Sequence, residues 1–174
     1  MRKSAEKNVM RNIKIEKVTL NVGCGGDANT IERAKKLLNM LSGRTAIVTL
    51  SKRRSTFGIT KGKPVGVMTT VRGKAAEELL KLALTGVDNK LKAQQFANPG
   101  TFSFGIHEYI DMANTKYNHE IGMMGFDVVV TLERPGFNVK RRKIKRGKIG
   151  QSHKITMEDA MHWVSESFGT NIIV

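Results

Sequence analysis

The chain of 174 residues has one cysteine, Cys24, and aromatic residues make up only 6% of it. A single cysteine excludes an internal disulfide bond and any zinc site built from paired cysteines. The lack of a disulfide framework is typical of a reducing cytosol. No stretch approaches the roughly eighteen consecutive apolar residues of a membrane-spanning helix, and the first residues lack an apolar run of signal-peptide length. We therefore expect a cytoplasmic protein with no membrane partner.

Acidic residues are also scarce, since fifteen Asp and Glu face thirty Lys and Arg and give a net charge of +15. The isoelectric point is near 10.2. An excess of positive charge this large in a small protein is typical of nucleic-acid binding. The alternative is a generally basic soluble protein. The length suits one domain with a real core, so we expect residues 1–174 to form a single domain.

The hydrophobic pattern predicts strands alternating with helices. Residues 13–23 alternate apolar and polar side chains with a phase shift near Lys17, which indicates a strand with a bulge. Residues 31–43 have helical spacing, with Asp27 or Asn29 as the N-cap and Gly43 as the C-cap. The further expectations are strands at 45–50, 65–73, 101–109 and 126–136, helices at 74–87 and 156–169, a short helix at 4–10 and an edge strand at 171–174.

Hairpin-like neighbouring strands mixed with helices predict an α+β fold. We expect a mostly antiparallel sheet with helices packed on one face and long basic loops. A capping box of Thr156 and Asp159 is expected to start the last helix.

Basic residues concentrate in two segments that contain no acidic residue. The first holds Lys52, Arg53, Arg54, Lys61 and Lys63, and the second holds Arg134, Lys140, Arg141, Arg142, Lys143, Lys145, Arg146 and Lys148. Glycines in both would let the backbone approach a phosphate chain closely. Phe57 and Phe137 either stack on unpaired bases or anchor the loops on the sheet. RNA or DNA contact is the favoured interpretation of both segments, which we expect to become ordered on binding.

Signals for catalysis or a cofactor are weak. The stretch NVGCGGDANT follows a strand and precedes a helix, but it lacks both GxGxxG spacing and a Walker ending. The four histidines form no HExxH pair, and the acidic residues form no evident catalytic pair. We therefore expect no enzyme activity, no cofactor and no metal.

Three segments together resemble the large-subunit ribosomal protein five family. They are IEKVTLNVGCG, GRTAIVTLSKRRSTFGITKGKPVGVMTTVRG, and FSFGIHEYIDM with GFDVVVTLERPG, and the resemblance runs from about Asn8 to the end. The segment after ERPGFNVKRRK is more similar to archaeal and eukaryotic members than to bacterial ones. The resemblance implies a structural protein that docks 5S rRNA in the central protuberance beside large-subunit rRNA and neighbouring ribosomal proteins. It also implies that the first basic loop, including Thr56 and Phe57, faces P-site tRNA.

The same resemblance implies 5S rRNA contacts at Asn21, Arg44 and Thr70. The period of two along a strand places Arg72 on the same strand face as Thr70, so Arg72 joins the expected RNA-binding residues. Bacterial members often have Gln where this chain has Arg44, so the role of that position is less fixed. Asn21 lies out of phase with the apolar residues of its strand, and amide and hydroxyl groups can bind base edges and 2′-hydroxyls. The alternatives are an RNA- or DNA-binding protein without ribosomal specificity, or solvent-facing residues without a ligand.

Overall fold

The computed structural model describes residues 8–55, 58–113 and 115–173. Within them the strands are β1 (Lys14–Gly23), β2 (Ile47–Leu50), β3 (Pro64–Val71), β4 (Lys90–Lys92), β5 (Phe96–Ala97), β6 (Thr101–Ile106), β7 (Phe126–Glu133) and β8 (Asn171–Ile173). The helices are α1 (Ala28–Ser42), α2 (Lys74–Thr85), α3 (Asn138–Arg141) and α4 (Met157–Phe168). No helix in this part of the chain is long and apolar enough to cross a membrane.

Six strands form one antiparallel sheet in the order β2-β3-β1-β7-β6-β5. The ten-residue strand β1 lies near its centre and pairs with β3 on one side and β7 on the other. The remaining strands, β4 and β8, form a separate two-stranded parallel pair. The predicted α+β class with a mostly antiparallel sheet is confirmed.

The two faces of the sheet differ because side chains alternate along each strand. Val18, Leu20 and Val22 of β1 are buried in the core, with exposures of 0%, 0% and 4%. The helices bury their apolar faces in this same core, through Ile31, Ala34, Leu37 and Leu38 of α1, Ala76, Leu79, Leu80, Ala83 and Leu84 of α2, and Ala160 and Val164 of α4.

The opposite surface of the sheet, which we call the open face, carries the side chains of the other phase. Register pairing places on it Ile47, Met68, Thr70, Thr19, Asn21, Asp127, Val129, Ser103 and Gly105. These residues are half-buried or exposed. The helices thus stabilise one side of the sheet and leave the other available to a partner.

The bulge and the helix caps predicted from local sequence are present in the structure. The register of β1 against β7 shifts between Ile15 and Lys17, which confirms the bulge. The Asp27 carboxylate accepts from the backbone N–H of Thr30 at 3.2 Å, so Asp27 rather than Asn29 is the N-cap of α1. Gly43 ends that helix in the left-handed region at φ 60°, which disfavours residues with a Cβ. The capping box that starts α4 is also confirmed.

Other elements differ from the expectation. Strand β2 begins at Ile47, and α3 forms inside a segment expected to be a loop. The C-terminal strand pairs with β4 outside the main sheet, and the sequence pattern indicates neither β4 nor β5. These elements have only two to four residues, too few for a periodic signal. Of the short helix expected at residues 4–10, positions 4–7 lie outside the described residues, and Val9–Arg11 forms a 3-10 turn.

Replacing a core residue of the central strand tests whether the sheet unfolds as one unit. Leu20 is fully buried, so Leu20→Ala is expected to lower the free energy of unfolding by about 2–5 kcal/mol. Chemical denaturation followed by circular dichroism and by Trp163 fluorescence measures this. Ile47→Ala is the control, because Ile47 is 64% exposed and its replacement should change stability by roughly 0.5 kcal/mol or less. Separate transitions for the two probes would contradict a single domain.

Candidate nucleic-acid interface

Asn21 and Thr70 both lie on the open face, as the sequence predicts. Asn21 of β1 is paired with Met68 of β3, and Thr70 is paired with Thr19. The hydroxyl oxygens of Thr19 and Thr70 are 3.5 Å apart, at the limit of a hydrogen bond. The two predicted positions therefore lie on adjacent strands, two residues apart in register, with polar groups that can meet a ligand.

Arg44 reaches the same region from the end of α1. It follows the C-cap of that helix, and its backbone N–H donates to the Ser42 hydroxyl at 3.2 Å. Arg44 and Thr70 line one depression of about 410 Å³, together with Met68 and Ile47. The structure thus brings Asn21, Arg44 and Thr70 together around Met68. Arg72 is exposed just beyond the end of β3, in the turn before α2, so the predicted shared strand face with Thr70 does not extend to it.

The first basic segment extends the β2–β3 hairpin. The Ser51 N–H donates to the Lys63 carbonyl at 2.8 Å, and the Gly62 N–H donates to the Ser51 carbonyl at 2.9 Å. Further along, the Ser55 N–H donates to the Ile59 carbonyl at 2.9 Å. The cationic side chains of this extension are all exposed: Lys52, Arg53, Arg54, Lys61 and Lys63. The predicted positions Thr56 and Phe57 lie outside the described residues.

A buried arginine holds the second basic segment at its two ends. The Arg134 residue is 7% exposed, and its guanidinium donates to the carbonyl of Lys154 at 3.2 Å. It also forms an ion pair with the Asp159 carboxylate at 3.1 Å. Because residue 134 begins the segment and residue 154 follows its last predicted cation, Lys148, by six positions, we call this set of contacts the Arg134 clamp. A guanidinium buried in this way is engaged within the protein, so the sequence prediction that Arg134 contacts RNA does not fit its surroundings.

Aromatic packing reinforces the same clamp. The Phe137 ring lies edge-on to the His153 ring, with centroids 5.8 Å apart. His153 is itself hydrogen-bonded through Nε2 to the Pro135 carbonyl at 2.9 Å. Phe137 is half-buried against the core. Of the two interpretations of this side chain, the structure favours the loop anchor over the base-stacking residue.

Arg141 is the second member of the predicted set with partners inside the protein. Its guanidinium forms ion pairs with Glu16, at 2.9 Å, and with Glu133. These contacts tie α3 to the ends of β1 and β7, although Arg141 stays 47% exposed. The other predicted cations of the segment are exposed and make no ion pair within the described residues: Lys140, Arg142, Lys143, Lys145, Arg146 and Lys148.

The described residues offer few groups suited to metal binding or nucleophilic catalysis. No group of three or more His, Cys, Asp or Glu side chains is arranged to hold a metal ion there. Burial raises the pKa of the Cys24 thiol, and the nearby Asp27 carboxylate raises that pKa further. The thiol is therefore kept neutral, which weakens it as a nucleophile.

One further residue of the open face, Asp127, is not among the positions that the sequence singles out. Asp127 of β7 is paired with Asn21 on one side and with Gly105 of β6 on the other. An exposed carboxylate in the middle of this face carries charge opposite to the rest of the surface. The alternation of FDVVVTLE places Asp127 out of phase with the buried valines, so this position is readable from the sequence. Its neighbours across the sheet depend on the strand order, which the sequence pattern does not give.

Together these features define a class: a basic α+β protein whose bare sheet face and cationic segments are typical of RNA binding. Residues 8–59 match the family model described as ribosomal protein L5, and residues 64–163 match the model for the C-terminus of the same ribosomal family. The chain belongs to the ribosomal protein L5 family, and it is therefore a protein of the large ribosomal subunit.

Individual relatives come from archaea. The chain is 44% identical over 166 residues to large ribosomal subunit protein uL5 of Nanoarchaeum equitans, covering 94% of this chain and 98% of the relative. It is 41% identical to the protein of that name from Sulfurisphaera tokodaii, with 95% of each chain covered. For Sulfolobus acidocaldarius the identity is 38%, over 99% of this chain and 98% of the relative.

The Arg134 clamp makes a prediction about the segment it holds. Arg134→Ala leaves the Lys154 carbonyl and Asp159 without their partner, so we expect trypsin to cleave residues 140–148 several-fold faster. Because Asp159 stays 42% exposed, the loss in unfolding free energy should be only on the order of 1–3 kcal/mol. Limited proteolysis with mass spectrometry identifies the cleavage sites. Arg33→Ala, at an exposed arginine of α1 outside the segment, is the matched control, and equal cleavage rates of the two variants would contradict the clamp.

Proposed function

We propose that the chain binds 5S rRNA through the open face and docks it in the central protuberance of the large subunit. The observation that carries this proposal is the convergence of Asn21, Arg44 and Thr70 on one side of the sheet, around Met68. Amide and hydroxyl groups there suit base edges and 2′-hydroxyls, and Arg44 suits a phosphate or a base. Membership of the ribosomal protein L5 family supports the same partner.

The extended β2–β3 hairpin is the proposed contact to P-site tRNA. Its exposed cations Lys52, Arg53 and Arg54 lie on one arm, and Lys61 and Lys63 lie on the other. Cross-loop hydrogen bonds connect the arms near their base, which supports a projecting, positively charged element. Such an element suits the phosphate backbone of another RNA.

The second basic segment is the proposed contact to large-subunit rRNA. We assign this contact to its exposed cations between Lys140 and Lys148, and we assign Arg134 and Arg141 to holding the segment in place. Neighbouring ribosomal proteins complete the proposed surroundings. We propose a structural role with no enzymatic activity and no cofactor.

Binding of 5S rRNA is tested with the double variant Asn21→Ala/Thr70→Ala. Loss of two hydrogen-bonding side chains is expected to weaken 5S binding by about ten- to a hundredfold at high salt. Wild type should bind 5S rRNA more tightly than a size-matched tRNA or duplex DNA, with a steep fall in affinity between two salt concentrations. Filter binding or fluorescence anisotropy measures the three affinities.

The control for this comparison removes similar side chains from outside the open face. Asn29 and Ser167 are exposed on α1 and α4, so Asn29→Ala/Ser167→Ala should retain the preference for 5S rRNA. If wild type binds all three nucleic acids alike and high salt abolishes every complex, the protein is a nucleic-acid binder without ribosomal specificity, and the proposal fails.

The tRNA contact is tested within assembled large subunits. Lys52→Gln/Arg53→Gln/Arg54→Gln removes three charges from the hairpin, and P-site tRNA affinity is expected to fall several-fold as counterion release is lost. Retention of 5S rRNA should stay unchanged. The matched control, Lys35→Gln/Lys74→Gln/Lys81→Gln, removes the same charge from exposed positions of α1 and α2, outside both basic segments. Equal tRNA affinity for the two variants would argue against a hairpin contact.

A further inference from the structure

The open face contains a second depression, beside the one lined by Arg44. It has a volume of about 380 Å³, within the range of small-ligand sites, which starts at roughly 300 Å³. We call it the Asp127 pocket, and its lining includes Asn21, Gln95, Ser103, Gly105, Asp127 and Val129. The four strands or turns that contribute these residues meet only in the folded sheet.

The Asp127 carboxylate is unusual in its setting. It is exposed and makes no hydrogen bond or ion pair to another side chain in the described part of the chain. The protein carries a net charge of +15, and the face around this residue is the proposed RNA-binding surface. A carboxylate repels phosphate, so it disfavours a backbone contact at this point. It favours a group that offers hydrogen-bond donors instead.

The strand residue beside the carboxylate has no side chain, because it is a glycine. Gly105 is paired with Asp127 across β6 and β7, and a Cβ at this position would lie 3.4 Å from the Asp127 Oδ1. On the other side Asn21 contributes an amide with both a donor and an acceptor. The half-buried Val129 supplies an apolar floor two residues along the strand. A flat ring can therefore lie against Val129 with its edge toward Asp127.

Gln95 has a defined hydrogen-bonding role at the rim. Its side-chain oxygen accepts from the Lys92 backbone N–H at 2.9 Å. The amide nitrogen remains as a donor toward a ligand. The pocket thus combines the two acceptor oxygens of the Asp127 carboxylate with donors on Gln95 and Asn21.

We propose that the Asp127 pocket binds the Watson–Crick edge of an unpaired guanine in the RNA, an inference that rests on the proposed 5S binding. Guanine has two neighbouring donors, N1–H and N2–H₂, which match the two oxygens of one carboxylate, and its O6 accepts from an amide. Adenine, cytosine and uracil each place an acceptor beside their donor on this edge, so a carboxylate oxygen would face a lone pair. The pocket selects guanine by this pattern of donors and acceptors.

Chemical probing of guanine in the complex tests the inference. Kethoxal reacts with N1 and N2 of unpaired guanines, which are the atoms assigned to Asp127. In 5S rRNA saturated with wild-type protein, we expect protection of at least one guanine that reacts in the free RNA. With Asp127→Asn that guanine should regain reactivity, and affinity at high salt should fall by about tenfold, as for loss of a paired base contact.

The direction in which Asp127→Asn changes RNA affinity distinguishes a guanine-binding carboxylate from a solvent-exposed carboxylate that has no ligand. Removing a negative charge from a surface that faces phosphates would otherwise strengthen binding or leave it unchanged. Asp111→Asn makes the same charge change at an exposed position outside the pocket and should keep the protection. Gly105→Ala, which adds a methyl group 3.4 Å from the Asp127 Oδ1 without changing charge, should weaken the protection of that guanine.

Two negative results have different meanings. If 5S rRNA binds but every guanine reacts alike with wild type and Asp127→Asn, the guanine assignment is overturned and 5S binding stands. If wild type does not bind 5S rRNA at all, the proposed function and the guanine assignment both fail.

Discussion

The rest of the structure depends on the pairing of β1 with two strands that are distant in sequence. β1 pairs with β3 through residues 18–23 and with β7 through residues 14–21. Its buried phase, Val18, Leu20 and Val22, fixes which side of the sheet receives the helices. A slip of one residue would exchange the two faces, exposing valine and leucine and burying Asn21. The same register that closes the core therefore places the polar side chains of the open face.

The alternation within strands makes the general fold and part of the candidate site predictable. The out-of-phase positions of Asn21 and Thr70 follow from a period of two, whereas Arg72 lies beyond the end of β3, where that period no longer applies. Side-chain chemistry limits the N-cap of α1 to Asp27 or Asn29, and the lack of a Cβ suits Gly43 to the C-cap. Strand order does not follow from these local patterns. Nothing in the local pattern pairs Asp127 with Asn21, because the two residues are about a hundred positions apart. Its pairing with Gly105 joins consecutive strands across the long connection of residues 107–125, which does not fix a register.

The two basic segments look alike as sequence but differ as structure. The first projects from the sheet through backbone hydrogen bonds of a hairpin, with its described cations exposed. The second is fastened by Arg134, whose guanidinium has the carbonyl of Lys154 and the carboxylate of Asp159 as partners. A run of like charges does not reveal which members have internal partners, because those partners come from α4 for Arg134 and from β1 and β7 for Arg141. The charge content predicts a cationic surface, but Arg134 is buried and does not contribute to that surface.

Positive charge and the open face have different roles in the proposed RNA binding. Charge neutralisation is independent of sequence, so it supplies affinity that weakens with salt and it attracts any nucleic acid. Discrimination needs groups whose hydrogen bonds fail with the wrong partner. A carboxylate such as Asp127 serves this purpose because its repulsion from phosphate weakens every non-specific arrangement that places the backbone there. Only a ligand that presents adjacent donors recovers that loss, so one acidic residue on a basic face raises specificity even as it lowers general affinity.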